Sequence, residues 1–389
     1  MRFLSESKSR LRQILVGGTL ISSLALGSLA QGQSGQPNVV LILADDLGYG
    51  DIGAYGATDL FTPNIDQLAA DGVRLTSFYM TPSCSISRAM LLTGSYAPRV
   101  SMSRNHTPSA ATGIHEDEVT IGELLQHAGY VTGIFGKWHL GDHYQYRPQR
   151  HGFDEFFGIP YSNNMWPFHP RTRRTPGEDP RLTAARERAE LTGYSGSNRP
   201  FPYGEGYPNL PLMDGDRIVA FNPDQAVMNE AFIDNTLEFI EENASRPFFA
   251  FVSLTAPHVP LHPGERFVGT SARDLYGDTV QEIDAAVGRI LLRIAELGID
   301  SETLVIFLSD NGPWLEYGID GGSAGGLAGG KEGQFEGGIR VPAVFRWPGQ
   351  LGNVAVIDEL VSGADILPTL AGLAAVSYTH LRAHETTSH

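Results

Sequence analysis

The run Pro37 to Ala44 (PNVVLILA) is almost continuously apolar and rich in β-branched residues. That is the pattern of a strand covered on both faces, and it ends in the acidic pair Asp45-Asp46. Carboxylates at the carboxyl end of such a strand are well placed for chemistry. Thr62-Pro63 then opens a helix that runs through Ala70 and closes at Gly72, and Val73 to Tyr79 returns as a strand. The rhythm repeats with a helix near Thr120 to His127 ending at Gly129, a strand from Tyr130 to Phe135, and an amphipathic helix from about Gln225 to Asn243. Buried strands follow over Pro247 to Leu254 (PFFAFVSL) and Thr303 to Leu308 (TLVIFL), with a helix from about Thr279 to Leu297 between them. This alternation predicts an α/β fold, a large and mostly parallel sheet with helices on both faces.

Between Asn163 and Pro223 the pattern fails, and the segment is rich in Pro, Arg, Gly and Tyr; it reads as an insertion near an active-site rim. Gly321 to Gly330 reads either as a mobile surface loop or as one that closes over a ligand. At the N-terminus Arg2, Lys8, Arg10 and Arg12 precede the apolar stretch Ile14 to Leu29, and Ser28-Leu29-Ala30 supplies a small-residue cleavage site. Residues 1–30 therefore predict an export signal and a periplasmic or secreted protein with no membrane segment after cleavage; a retained anchor is the alternative. After the helical Ala364 to Ala374, the stretch Ser377 to His389 abandons the pattern and reads as a non-native tail. This leaves 37–376 as the catalytic domain with a truncated C-terminal subdomain, and it removes His380, His384 and His389 from any site argument.

Charge narrows the partners. Acidic side chains outnumber basic ones, 44 to 28, for a net charge of -16, and no basic run is interleaved with aromatics, so nucleic acid is excluded as a partner. An anionic substrate would need positive charge concentrated locally against that field. Cys84 is the only cysteine. In an exported protein a lone cysteine is either a buried inert thiol or a functional one.

The neighbours of Cys84 favour function. In Cys84-Ser85-Ile86-Ser87-Arg88-Ala89-Met90-Leu91-Leu92-Thr93-Gly94 a loop passes into an apolar helical turn. A cysteine at a helix N-terminus beside an arginine is expected to have a depressed pKa and sits where an anion would bind. Here the chain resembles the type I sulfatases, arylsulfatase A-like members of the alkaline-phosphatase-like superfamily. Their signature is Cys-x-Pro-Ser-Arg followed by Leu-Thr-Gly, and their cysteine is oxidised to formylglycine by a formylglycine-generating enzyme. The resemblance spans about Pro37 to Ala374 and rests on further motifs in the family's order. These are Asp45-Asp46, Gly136-Lys137-Trp138-His139-Leu140-Gly141, Gly158-Ile159-Pro160-Tyr161-Ser162, Ala256-Pro257-His258, Ser309-Asp310-Asn311-Gly312, and Lys331 with Glu336-Gly337-Gly338-Ile339-Arg340-Val341-Pro342. The departure is at position 86, where the family's proline is isoleucine; the maturing enzyme reads that region.

The resemblance implies a sulfuric ester hydrolase with one calcium ion held by Asp45, Asp46, Cys84 as formylglycine, Asp310 and Asn311. Hard oxygen donors at two strand ends suit calcium better than zinc. A hydrated formylglycine would present one oxygen to attack sulfur and a second to expel sulfate. Arg88 and Lys137 would then hold the diol, and His139 would take its proton. His258 and Lys331 would contact sulfate and protonate the departing alcohol oxygen, with Ser162 and Lys137 also on the sulfate. Singly, each residue has a plainer reading: Asp310-Asn311-Gly312 a turn after a strand, Lys137 and Lys331 solvated charges, His139 and His258 loop histidines. The expected substrate is a sulfated small molecule or carbohydrate. Phosphoester or phosphonate hydrolysis, and sulfated-glycan binding without turnover, stay open as alternatives.

Overall fold

The computed structural model describes residues 35–173, 175–194, 206–351 and 355–376. The export signal expected over 1–30 and the tail expected over 377–389 lie outside the described residues. The strands are β1 (Asn38–Ala44), β2 (Val73–Tyr79), β3 (Val131–Lys137), β4 (Glu155–Ile159), β5 (Pro211–Asp214), β6 (Arg217–Phe221), β7 (Phe248–Ser253), β8 (Thr303–Ser309), β9 (Arg340–Arg346), β10 (Ala355–Ile357) and β11 (Val361–Ser362). The helices are α1 (Pro63–Ala70), α2 (Cys84–Thr93), α3 (Ile121–His127), α4 (Pro180–Thr192), α5 (Met228–Asn243), α6 (Asp274–Glu296), α7 (Glu336–Ile339) and α8 (Ile366–Leu373).

The strands form one sheet in the order β10-β2-β9-β8-β1-β7-β3-β4-β5-β6, with β11 beside β2. Its centre, β8-β1-β7-β3-β4, is parallel throughout. β9 runs antiparallel between β2 and β8, and the β5-β6 hairpin extends the far edge antiparallel. The alternation of side chains along a strand explains the continuous apolar runs. In β1, Val39, Leu41 and Leu43 enter the core on one face, and Val40, Ile42 and Ala44 the core on the other. α2, α3 and α8 cover the first face, and α1, α5 and α6 the second.

Two expectations change. α6 begins at Asp274 rather than near Thr279, because its first turn is fixed from outside. Tyr276 is buried with its hydroxyl donating to Asp51 (2.6 Å), and Gly277 packs so tightly that a Cβ there would lie 1.9 Å from Ser271 Oγ. The patternless stretch 163–223 holds α4 and the β5-β6 hairpin. α4 buries only Leu182 and Arg186, so it has no apolar periodicity to read. Its punctuation was present all the same: Asp179 caps it, Pro180 opens it, and Gly193 closes it at φ 73°.

Candidate functional site

Parallel strands bring their carboxyl ends to one edge of the sheet, and every residue picked out by the sequence lies there or on a loop that reaches it. β1 and β8 are paired in register through Ala44 and Ser309, so Asp45-Asp46 and Asp310-Asn311 leave the sheet side by side. Lys137 ends β3 and His139 follows it; Ser162 follows β4; His258 follows β7. Cys84 opens α2 and Arg88 lies one turn further along the same helix. All of these side chains are buried.

The charges interlock. Arg88 donates through Nε and Nη2 to Asp310 Oδ2 (3.1 and 3.0 Å) and through Nη1 to the Lys137 carbonyl (2.8 Å) and Ser253 Oγ (2.5 Å). Lys137 Nζ donates to Asp45 Oδ2 and, at 3.2 Å, to Ser162 Oγ. Lys331 Nζ donates to both Asp46 oxygens (2.6 and 2.9 Å) and lies 3.0 Å from Cys84 Sγ, which is itself 3.3 Å from Asp45 Oδ1 and 3.8 Å from Asp46 Oδ1. A formylglycine at position 84 would keep the Cβ carbon in place and put an aldehyde or diol oxygen where this sulfur lies. Asp45, Asp46 and Asp310 thus face Arg88, Lys137 and Lys331, three buried anions against three buried cations. A divalent cation and a sulfate dianion added together leave that balance unchanged.

Burial and these neighbours set the protonation. Burial works against the Asp45 carboxylate, yet Lys137, His258 and Arg88 hold its pKa well below the usual range. Asp310 moves the other way, raised first by burial and then by the charge of Asp45. Burial, then Asp310 and Asp45, push the Cys84 thiol up, opposite to the depression expected from its helix N-terminus and Arg88. Burial, then Lys137 and Arg88, hold His139 well below the ordinary histidine value, so its ring is neutral. Its Nε2 is 3.0 Å from the His106 carbonyl and must carry the proton; Nδ1 is buried with no partner among the described residues. His258 is lowered to about 4 by burial and Lys331, and its Nδ1 donates to the Val259 carbonyl (2.5 Å), which turns Nε2 toward Asp46 Oδ2 at 3.6 Å. Asp46 and His139 have φ of 68° and 64°, left-handed values that non-glycine residues hold only under constraint.

The donor set at the site could hold a hard cation. Asp45, Asp46, Cys84 and His258 present donor atoms within 4.8 Å of one another, and Asn311 Oδ1 is buried without a hydrogen-bond partner among the described residues. His258 therefore joins the donor cluster, beyond the sulfate contact and proton transfer that the resemblance implies for it. Asp310 spends Oδ2 on Arg88 and receives the Asp46 N–H on Oδ1 (3.1 Å). Asn311 Nδ2 donates to Asp46 Oδ1 (2.7 Å).

Residues that sequence reasoning missed act through hydroxyls and backbone. Ser253 Oγ bridges Arg88 to the Lys137 carbonyl, donating to the latter at 2.6 Å. Ser85 Oγ donates to the His139 carbonyl (2.7 Å) and accepts from the His106 N–H (2.9 Å), closing a ring around His139. Ser85 lay inside the Cys84 motif; nothing in the sequence marked Ser253 or His106.

A cage of paired charges at the carboxyl edge of a mostly parallel α/β sheet, with a metal-competent acidic cluster beside a helix N-terminus, defines an anion-processing α/β enzyme site. The chain belongs to the sulfatase family, whose model, described as Sulfatase, matches residues 37–376. Arylsulfatase A of Bos taurus is 40% identical over 363 residues, 92% of this chain and 67% of that protein. N-acetylgalactosamine-6-sulfatase of Canis lupus familiaris is 38% identical over 370 residues, 91% of this chain and 66% of that protein. This chain spans about two thirds of the length of these curated relatives. The PsFucS1 sulfatase from Pseudoalteromonas sp. superposes with a TM-score of 0.77 at 30% identity, covering 95% of this chain and 72% of that one. Ps i-CgsB in complex with k-i-k-neocarrahexaose gives 0.73 at 30% identity, covering 89% and 74%.

Proposed function

We propose that the protein is an exported, calcium-dependent sulfatase that cleaves a sulfate monoester of a carbohydrate, using a formylglycine made from Cys84 by a formylglycine-generating enzyme. The observation that carries this is the position of Cys84: first residue of α2, against Asp45 and Asp46, with Lys331 Nζ 3.0 Å from its sulfur. The carbohydrate assignment is supported by the oligosaccharide bound in the Ps i-CgsB complex and by the sugar in the name of N-acetylgalactosamine-6-sulfatase. Export rests on the residue pattern of 1–30. Among the described residues no helix is long and apolar enough to cross a membrane.

Asp45, Asp46, Asp310 and Asn311 would hold calcium, which together with the hydrated aldehyde at position 84 would supply charge neutralisation and a nucleophilic oxygen. Arg88 and Lys137 orient that position. The two rigid cations lie within the same hydrogen-bonded cage, so the incoming charge meets preformed donors. His139, neutral and protonated on Nε2, offers Nδ1 as the base. Lys331 stays protonated, since the Asp46 carboxylate outweighs the opposing effect of burial; it is the proton donor to the leaving alcohol oxygen. Ser162 Oγ donates to a sulfate oxygen, and His258 reaches another through Nε2 once that nitrogen takes up a proton with the incoming anion. The net reaction takes up water and yields the alcohol, sulfate and a proton.

Ile86 supports a second reading, a protein that binds sulfated glycans without turning them over. Peptide mass spectrometry across Cys84, on protein made with a formylglycine-generating enzyme, separates the two. Conversion lowers the mass by about 18 Da, from the chemistry of thiol-to-aldehyde oxidation. An unmodified thiol in protein that still binds sulfate supports the second reading.

A further inference from the structure

Trp314 stands beside the site and has no role in the reaction outlined above. It follows Asp310-Asn311-Gly312-Pro313, and the Pro313 carbonyl accepts the Lys331 backbone N–H (2.9 Å). Its half-buried ring carries Lys331 Nζ at 4.6 Å from the centroid, and the His258 ring lies 5.4 Å away, tilted by 60°. One indole thus touches both the proton donor to the leaving alcohol and the neighbouring sulfate contact. Its own orientation is fixed from the other side. Tyr317 packs edge-on against it (4.8 Å), and Tyr194 stacks on Tyr317 (4.0 Å, 11°). Tyr194 follows α4, and that helix braces the same turn: Arg188 Nε donates to Asp320 Oδ2 (2.8 Å), and Gly318 lies so close that a Cβ would sit 2.5 Å from the Thr192 carbonyl. A series of rings therefore runs from the inserted helix to the catalytic lysine.

We infer that Trp314 is a positioning residue that holds Lys331 against the leaving alcohol; this rests on the sulfatase reading above. The lysine sits on a glycine-rich loop, with Gly329 and Glu332 at φ of 77° and 64°, and its ammonium lies over the indole face. A desolvated ammonium over indole is worth enough to change populations of its rotamers about tenfold. Without the ring, Lys331 retains its pairing with Asp46 and turns away from the alcohol oxygen.

The test compares full-length matured wild type, Trp314→Phe and Trp314→Leu on two esters, one with a nitrophenol leaving group and one with an unactivated sugar alcohol. Trp314→Leu is expected to lose about tenfold in kcat on the sugar sulfate and little on the nitrophenyl sulfate, because only the poor leaving group needs the proton. Trp314→Phe, which keeps a π face, should stay close to wild type on both. Equal losses on both esters, or a leucine variant as active as the phenylalanine one, overturns the inference. Calorimetry with inorganic sulfate on the same proteins keeps the two readings apart. If wild type turns over neither ester, the hydrolase reading fails, and Trp314 then stands only if Trp314→Leu weakens sulfate binding about tenfold while Trp314→Phe does not. Unchanged binding in Trp314→Leu, or no sulfate binding by wild type, overturns it.

Discussion

Arg88 shows how much one side chain can hold together. Its guanidinium is buried and bonded to Asp310, the Lys137 carbonyl and Ser253, with Asp45 also within 3.6 Å. Removing it strands the buried Asp310 carboxylate, while Asp45 keeps Lys137, so Arg88→Ala in chelator-treated protein should lower unfolding stability by about 3–5 kcal/mol in denaturant titration. Excess calcium should recover part of that loss in the same titration, since it supplies the missing positive charge. Ile86 is a contrasting case. It occupies the third position of α2, where a backbone N–H has no intrahelical acceptor, and its side chain is half-buried against the core. Ile86→Pro should leave the melting temperature within about 2 °C while raising the fraction of Cys84 converted, both read from purified protein. The charged residues of the site were legible in the sequence because strand ends and motif order mark them. Ser253, His106 and Ser85 were not, because what they contribute is a hydroxyl or a carbonyl whose partner is chosen only by the fold.

At the scale of elements, the parallel centre of the sheet could be read from β1, β7 and β8, whose runs are apolar on both faces. β4 and the β5-β6 hairpin could not: they are short or only partly buried. β9 is longer and buried through its centre, but Pro342 inside it and an arginine at either end obscure the pattern. The glycine-rich stretch 321–330 had been open between a mobile loop and a closing one. It is tied down instead. Asp51 accepts from the Gly48 and Ser323 N–H groups (3.0 and 2.9 Å), Tyr276 and Arg273 (2.7 Å), joining the loop after β1 to the one that leads to Lys331. Backbone spacing between β3 and β7 is equally demanding. Gly136 has φ 121°, and a Cβ there would sit 1.8 Å from the Ser253 carbonyl. Gly136→Ala must push apart the strands that carry Lys137 and Ser253. We expect a loss of about 3 kcal/mol or more in stability and a fall in kcat disproportionate to KM, measured by denaturant melts and steady-state kinetics.

For the whole molecule, pH acts on stability through groups remote from the site. Glu282 is raised from 4.5 to about 7, first by burial. A carboxyl with a raised folded-state pKa gives its full contribution below its unfolded value and loses it as pH rises through about 7. Glu282→Gln should therefore raise stability at pH 8 relative to pH 5 by about 1–3 kcal/mol compared with wild type, in paired denaturant melts. His169 has the opposite sign: burial lowers it from 6.5 to about 3, so its contribution is complete above 6.5 and lost as pH falls toward 3. The net charge of -16 repels anions at long range, and the buried balance of three cations and three carboxylates is what lets one enter. The most direct test of that account is inorganic sulfate released from an aryl sulfate by matured wild type and Cys84→Ala side by side, in calcium. The account predicts steady release by wild type and a loss of about a thousandfold or more in the variant. Equal release by the two proteins, or none by a wild type carrying the aldehyde, would contradict it.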